Sequence, residues 1–280
     1  MRIDTGSFGL VQPLDTAAKS IQKTNKDLNK ILERLSTALR INSASDDAAG
    51  LGVAEQLDTQ ARGFKVASQN VDEAMSALNI ADSTGSQVSD MIQQQRDLAV
   101  QASSGTLNDS ERQDLNTQYQ SLTQEITRIT DASQYNTQNV ANGTGLASGT
   151  AQVQAGANAG DAVTMPTVNM TANALNITGS SIDTAANAQA AIGTLDTAMD
   201  TLNSQMSTVG ATSNQFNSTL NNLAVADINT EAAQSVVSDE DMAQGLAQLT
   251  TAELLQQGSI AAFSKFKEIS ANHLFGLLQQ

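Results

Sequence analysis

The chain has 280 residues, no cysteine, no tryptophan, 3% aromatic residues and a formal net charge of −15. Without cysteine there are no disulfide staples, thiolate zinc sites or cysteine nucleophiles, and so acidic a chain lacks the basic footprint of a nucleic-acid binder. Ala, Ser, Thr, Asn and Gln dominate; they leave too few large side chains for a thick globular core but suit long helices packed side by side.

The opening MRIDTGSFGLVQPLD contains no apolar run of the ~7–15 residues that a secretory signal needs. No stretch approaches the ~18 apolar residues of a membrane span. The chain is therefore expected to be cytoplasmic or exported by a route that reads no apolar signal. Charge is uneven: residues 1–40 hold seven basic residues against four acids, and no Lys or Arg occurs from Ile129 to Ser264. A basic N-terminal segment and an acidic C-terminal half attract each other weakly, steering more than stabilising.

The first predicted helix follows Pro13. Leu14, Ile21, Leu28 and Leu35 are seven apart, with Ala18, Asn25, Leu32 and Leu39 between them. This is a heptad seam, about 40 Å long from Leu14 to Arg40 at ~1.5 Å per residue. It stops before Asn42-Ser-Ala-Ser-Asp-Asp47, where Asp46 and Asp47 stand at an expected helix start. A second seam runs Phe64, Ala67, Val71, Ala74, Leu78, Ala81, then Val88, Ile92 and Ala99, with an expected break at Gly85. A third holds Leu115, Tyr119, Leu122, Ile126 and Ile129, and Asn108 followed by Glu111 is its start signal.

Residues 132–182 change character, with six glycines, Pro166 and one charged residue, Asp161. Short alternating runs around glycine-rich turns predict one or two small hairpins. The fourth seam, Ile192, Leu195, Met199, Leu202, Met206, Val209, Phe216, Leu220 and Leu223, is the most regular. The fifth follows Asp239-Glu240-Asp241 and carries Met242, Leu246, Leu249, Ile260 and Phe263. The expected fold class is mainly α, with long coiled-coil-like helical rods and a small β-hairpin region in the middle of the chain. Two apolar helices at the chain's ends would cover each other narrowly, which points toward self-assembly.

Catalytic and metal constellations are absent from the reading. The one histidine, His273, supports neither a triad nor a histidine metal site. The acidic clusters lack the ligand spacing of a calcium loop, and Gly50-Leu-Gly52 lacks the Gly-Lys-Ser/Thr of a phosphate loop. No catalytic residue, cofactor or metal ligand is assigned.

ERLSTALRINSASDDAAG, residues 33–50, resembles the N-terminal signature of bacterial flagellins, RLSSGLRINSAxDDAAG, with Thr37 and Ala38 in place of the usual Ser and Gly. QQQRDLAVQAS (93–103), LNTQYQSLTQEITRI (115–129), NQFNSTLNNL (214–223) and SDEDMAQGLAQLTTAELLQQGSIAAF (238–263) extend the resemblance. It implies an inner coiled-coil domain from 1–42 and 236–280, a helical rod domain from 43–140 and 185–235, and a short hairpin or variable insert at 141–184. Large outer domains are expected to be absent or reduced to that insert. The assembly seam would comprise Leu14, Ile21, Leu28, Leu32, Leu35, Leu39, Leu246, Leu249 and Phe263. A spoke, with Arg40, Asn42, Asp46 and Asp47, would join the inner and rod domains.

The family implies an extracellular flagellar filament and export of the unfolded chain by the flagellar type III apparatus. Its partners would be further copies of the chain, an export chaperone on the C-terminal helices, and the flagellar cap and hook-associated proteins; no nucleic acid or membrane is implied. The segment that an animal innate receptor reads in the family is matched at Arg96, Leu98 and Gln101. Gln94 stands where Arg is usual, Asp97 where Glu is usual, and Gln118 where Glu is common, so weakened recognition is expected. The end, HLFGLLQQ, departs from the common Leu-Leu-Arg, and no His-Glu-x-x-His of a protease insert occurs. Two other readings are a hook–filament junction protein and a free-standing coiled-coil binding module; an enzyme ranks last.

Overall fold

The computed structural model describes residues 8–278, with side-chain surroundings over 15–269 and 271–272. Five long helices account for most of it: α1 (Phe8–Thr37), α2 (Ala48–Ala102), α3 (Asp109–Ala132), α4 (Ala185–Ser238) and α5 (Met242–Leu278). Between α3 and α4 lie two antiparallel hairpins, β1 (Gln134–Tyr135) with β2 (Gln138–Asn139), and β3 (Gln152–Gln154) with β4 (Ala162–Thr164). The mainly helical class with small hairpins agrees with the sequence.

The starts of α2, α3 and α5 each have a local cause. Asp47 Oδ1 accepts the Ala49 and Gly50 amides at 3.1 and 2.9 Å, an N-cap that starts α2. Asn108 opens α3 with a reciprocal capping box: its Oδ1 accepts the Glu111 amide, and Glu111 Oε2 accepts the Asn108 amide. Asp241 caps α5 through the Ala243 and Gln244 amides. Arg112, buried in the first turn of α3, donates to the carbonyls of Ala102 and Ser104 at 3.0 Å each. It thereby satisfies one carbonyl that α2 leaves open at its C-terminus and one in the turn that follows.

The seam expected to break at Gly85 does not break. A Cβ at Gly85 would lie 2.0 Å from Met206 Sδ, so the missing side chain is what lets α4 pack there. The first hairpin turns on two residues, Asn136 and Thr137, both at positive φ (47° and 65°), as a primed two-residue turn requires. The second hairpin lies along α2: Asn70 Nδ2 donates to the Gln154 carbonyl at 3.3 Å, and Ala157 packs so closely on Gly63 that a Cβ there would be 2.8 Å away.

The structure divides into two compact units, 59–229 and 1–58 with 230–280. The unit 59–229 has a continuous apolar core. Val71, Leu78, Val88 and Ile92 from α2 meet Leu115, Tyr119 and Ile126 from α3 and Leu195, Leu202, Val209 and Phe216 from α4. Each fully buried large side chain contributes about 1.5–3 kcal/mol relative to exposure. Gln95 is the polar member of this seam: its Nε2 donates to the Tyr119 carbonyl at 3.1 Å and to Thr123 Oγ1 at 2.8 Å. Its Oε1 has no partner.

Candidate functional site

The terminal unit, 1–58 with 230–280, is built on α1 and α5 packed together. Of the expected seam, Ile21, Leu28, Leu35, Leu249 and Phe263 are half-buried. Leu32 and Leu246 are 45% and 52% exposed, and Leu39 is exposed as well. The Leu14 and His273 side chains lie outside the described residues. The half-buried stripe of α1 runs Ala18, Ile21, Asn25, Leu28, Ile31, Leu35, so Ile31 takes the place expected for Leu32. The steps along this stripe are 3, 4, 3, 3 and 4 residues, the uneven spacing of a face on a helix of 3.6 residues per turn.

Two features register the pair. Gln256 Nε2 donates to Asn25 Oδ1 at 2.7 Å, a polar layer inside an apolar stripe. Gly245 lies against Leu35, where a Cβ would be 2.8 Å from Leu35 Cδ2, so α5 approaches the end of α1 closely. Elsewhere α5 leaves apolar surface open at Met242, Leu254, Leu255, Ile260 and Phe266.

The expected spoke residues each have hydrogen-bond partners in the connector between α1 and α2 or at the end of α4. Arg40 donates through its backbone amide to the Ser238 carbonyl at 2.7 Å and through its guanidinium to the Val237 carbonyl. Asn42 Nδ2 donates to the Leu39 carbonyl at 3.2 Å. Asp46 Oδ2 accepts the Asn42 and Ser43 amides, and Asp46 Oδ1 pairs with Lys30 Nζ at 2.6 Å. The Lys30 ammonium holds the Asp46 carboxyl down to about 2, helped by the Asn42 amide and the Ser43 hydroxyl. Gly50 completes the turn: a Cβ there would lie 2.5 Å from Asp47 Oδ2 and 2.7 Å from Ile41 Cδ1. The Asp-Asp-Ala-Ala-Gly run is thus one pairing aspartate, one capping aspartate and one glycine required by close approach.

The receptor-like residues lie in the other unit, 59–229. Gln94, Leu98, Gln101 and Gln118 line one surface cleft of about 670 Å³ between α2 and α3, together with Leu122 and Glu125. Arg96 is not among them; its Nε donates to Asp196 Oδ1 on α4 at 2.8 Å. That carboxylate holds the guanidinium above its usual range, first by the hydrogen bond and then by charge. Sequence reasoning missed Asp196, because nothing in α4's own pattern marks an ion-pair partner a hundred residues away. It also missed Arg112, Ile31 and Lys30; nothing in the sequence singles Lys30 out from the other basic residues of α1 as the partner of Asp46. Among the described residues no group of acids or histidines is placed to hold a metal ion, and no helix is long and apolar enough to cross a membrane.

Comparison with known proteins accounts for this arrangement. Residues 12–146 match the family model of the bacterial flagellin N-terminal helical region, and residues 192–275 that of the C-terminal helical region. The chain is 35% identical to a flagellin of Halalkalibacterium halodurans over 238 residues, 84% of this chain and 86% of that one. It is 35% identical to polar flagellin C of Vibrio parahaemolyticus over 158 residues, 56% of this chain and only 40% of that longer one. Among solved structures it is similar to Bacillus cereus flagellin, with a TM-score of 0.50 and 29% identity over 55% of this chain and 88% of that one. A Vibrio parahaemolyticus chain assigned to the flagellar hook-associated proteins shares the fold, with a TM-score of 0.55 and 16% identity over 69% of this chain and 99% of that one. With both helical regions matched in order and most of the chain aligned to a relative of nearly its own length, this chain belongs to the bacterial flagellin family.

Proposed function

We propose that this chain is a subunit that polymerises through α1 and α5 into the flagellar filament, and that the terminal pair completes its folding on assembly. Family membership makes it a structural filament protein rather than an enzyme. One observation supports the terminal route: the core of 59–229 is filled, while the terminal pair leaves Leu32, Leu246 and much of α5 uncovered. Uncovered apolar surface on a two-helix pair is stabilised once neighbouring copies bury it.

In this reading 1–42 and 236–280 form the inner domain, 43–140 and 185–235 the rod domain, and 141–184 the short insert. The chain leaves the cell unfolded through the flagellar type III apparatus. An export chaperone covers the apolar face of the C-terminal helix beforehand, a use of coupled folding and binding. Cap and hook-associated proteins meet the growing and basal ends. Recognition by an animal innate receptor is weakened, because Gln94 and Gln118 lack charge and Arg96 is already paired with Asp196.

Seeded polymerisation tests the reading. Purified chain added to short filament seeds is expected to sediment as long filaments by electron microscopy, with a gain of helix by circular dichroism. Absence of growth, with helicity complete in the monomer, would overturn it in favour of a hook–filament junction protein or a free-standing coiled-coil module. The fold shared with the hook-associated chain is what keeps that second reading open.

A further inference from the structure

We infer that Asn142 is a deamidation site gated by folding: inert where the segment 165–170 holds it, reactive wherever the chain is unfolded. Asn142-Gly143 is the one Asn-Gly pair in the sequence. Glycine places no side chain beside its own amide, so in this pair the backbone nitrogen reaches the preceding asparagine most readily. The Gly143 nitrogen gives up its proton and bonds to Asn142 Cγ; the Cγ–Nδ2 bond breaks and ammonia leaves. Water then opens the cyclic imide at either carbonyl, leaving an aspartate or an isoaspartate.

The turn needs both residues, which accounts for so labile a pair standing there. Gly143 sits at φ 79°, and a Cβ there would lie 2.7 Å from Asn169 Nδ2. Asn142 Nδ2 donates to Asp131 Oδ1 at 2.9 Å, tying the turn to the end of α3. The same fold blocks the reaction. The Gly143 amide donates to the Val168 carbonyl and the Met170 amide to the Ala141 carbonyl, each at 2.8 Å, so the backbone on both sides of Asn142 is bridged across Asn169. Val168 and Met170 are buried and anchor that segment. Gln205 on α4 grips Asn169 at both backbone groups, accepting its amide at 2.7 Å and donating to its carbonyl at 2.9 Å. Thr144 donates to Asn142 Oδ1 through its amide at 3.1 Å and its hydroxyl at 2.6 Å. Those two bonds polarise the side-chain carbonyl, so the block lies in the backbone: ring closure must free the Gly143 amide and turn Asn142 against the bridge.

An unfolded chain has no such restraint, and the pair reacts as it does in a free peptide. The product does not fit the site it came from. An aspartate at 142 has no donor for Asp131 and sets a second carboxylate against it. An isoaspartate also lengthens the backbone within the bridge. Asn142 thus records time spent unfolded. Every residue involved lies in 59–229, so the site is independent of how the terminal helices fold.

Mass spectrometry tests this on the full-length chain, incubated at mildly alkaline pH in buffer and in enough guanidinium to unfold 59–229. Chymotryptic cleavage after Tyr135 and Leu146 isolates 136–146. Asn142 is expected to deamidate at least about tenfold faster in the unfolded chain, and ahead of every other asparagine there. Equal rates in the two states overturn the gate; a faster asparagine elsewhere in the unfolded chain overturns the site. Gln205→Ala, with its fold checked by circular dichroism, is expected to raise the folded rate about fivefold and leave the unfolded rate unchanged. No rise in the folded variant would remove the segment 165–170 as the gate. If that variant does not fold, the ratio of the two rates in the unaltered chain still decides. Asn142→Asp is expected to lower the urea midpoint of 59–229, and Asp131→Asn in the same chain to restore it; an unchanged midpoint would refute the misfit of the product.

Discussion

The unit 59–229 and the terminal unit carry the same heptad grammar and come to opposite ends. In 59–229 the seams of α2, α3 and α4 close on one another, and large members such as Tyr119, Phe216 and Ile92 are fully buried. In the terminal unit the same spacing on α1 and α5 leaves leucines at 45% and 52% exposure. The difference is how many helices meet. Three helices and two hairpins enclose a stripe; two helices cover one face each and leave the flanks in water. A repeated apolar pattern thus marks intent to bury, and the number of partners within the chain decides whether burial is completed there or elsewhere.

Phe216→Ala should test the filled side most severely. It is expected to destabilise 59–229 by about 3–5 kcal/mol, read as a shift in urea unfolding followed by circular dichroism. A loss below about 1 kcal/mol would break the comparison, since the core would then be no better packed than the terminal pair. Next in size, Arg112→Ala should lose about 2–3 kcal/mol, because the buried guanidinium bonds to the Ala102 and Ser104 carbonyls would go unanswered. Rescue by Lys is expected to be partial, since an ammonium cannot reproduce the fork.

Leu32→Asp sharpens the other side. Its effect on the isolated fold should be small, about 0.5 kcal/mol or less for so exposed a position, while seeded polymerisation is lost and helicity over 64–225 is kept. Normal filaments from this variant would mean the uncovered leucine face plays no part in assembly. The smallest effect is electrostatic. Asp46 is held at about 2 by Lys30, the Asn42 amide and the Ser43 hydroxyl, below the unfolded value of about 3.9. Its contribution to fastening the connector is therefore present above about pH 4 and is lost as pH falls toward 2. Titration of the Asp46 carboxyl by nuclear magnetic resonance should give a midpoint near 2, returning toward 3.9 in Lys30→Ala.

Much of the fold was legible in advance because its causes are local. The Asn108–Glu111 capping box, the acidic residue at the start of α5 and the seams of α2, α3 and α4 need only residues a turn apart. What sequence missed depends on distance or on drift. Ile31 and not Leu32 is half-buried because the covered face depends on where α5 lies, which spacing along α1 alone does not give. Gly85, expected as a break, is a packing position whose reason is Met206 on α4. Arg96 matches a family segment along α2, yet its ion-pair partner is Asp196 on α4. Ala38 was visible as a departure from a family signature, but its positive φ of 57° belongs to the backbone and not to the alphabet.

The long segment from Ile129 to Ser264, without a single Lys or Arg, carries both hairpins, all of α4 and the first part of α5. Trypsin-like proteases cut only after those two residues. Digestion that reaches every basic site in the chain still leaves this stretch whole between Arg128 and Lys265, whether or not it is folded. Nearly half the length of the chain is therefore indivisible by a trypsin-like protease, for a reason that lies in composition and not in fold.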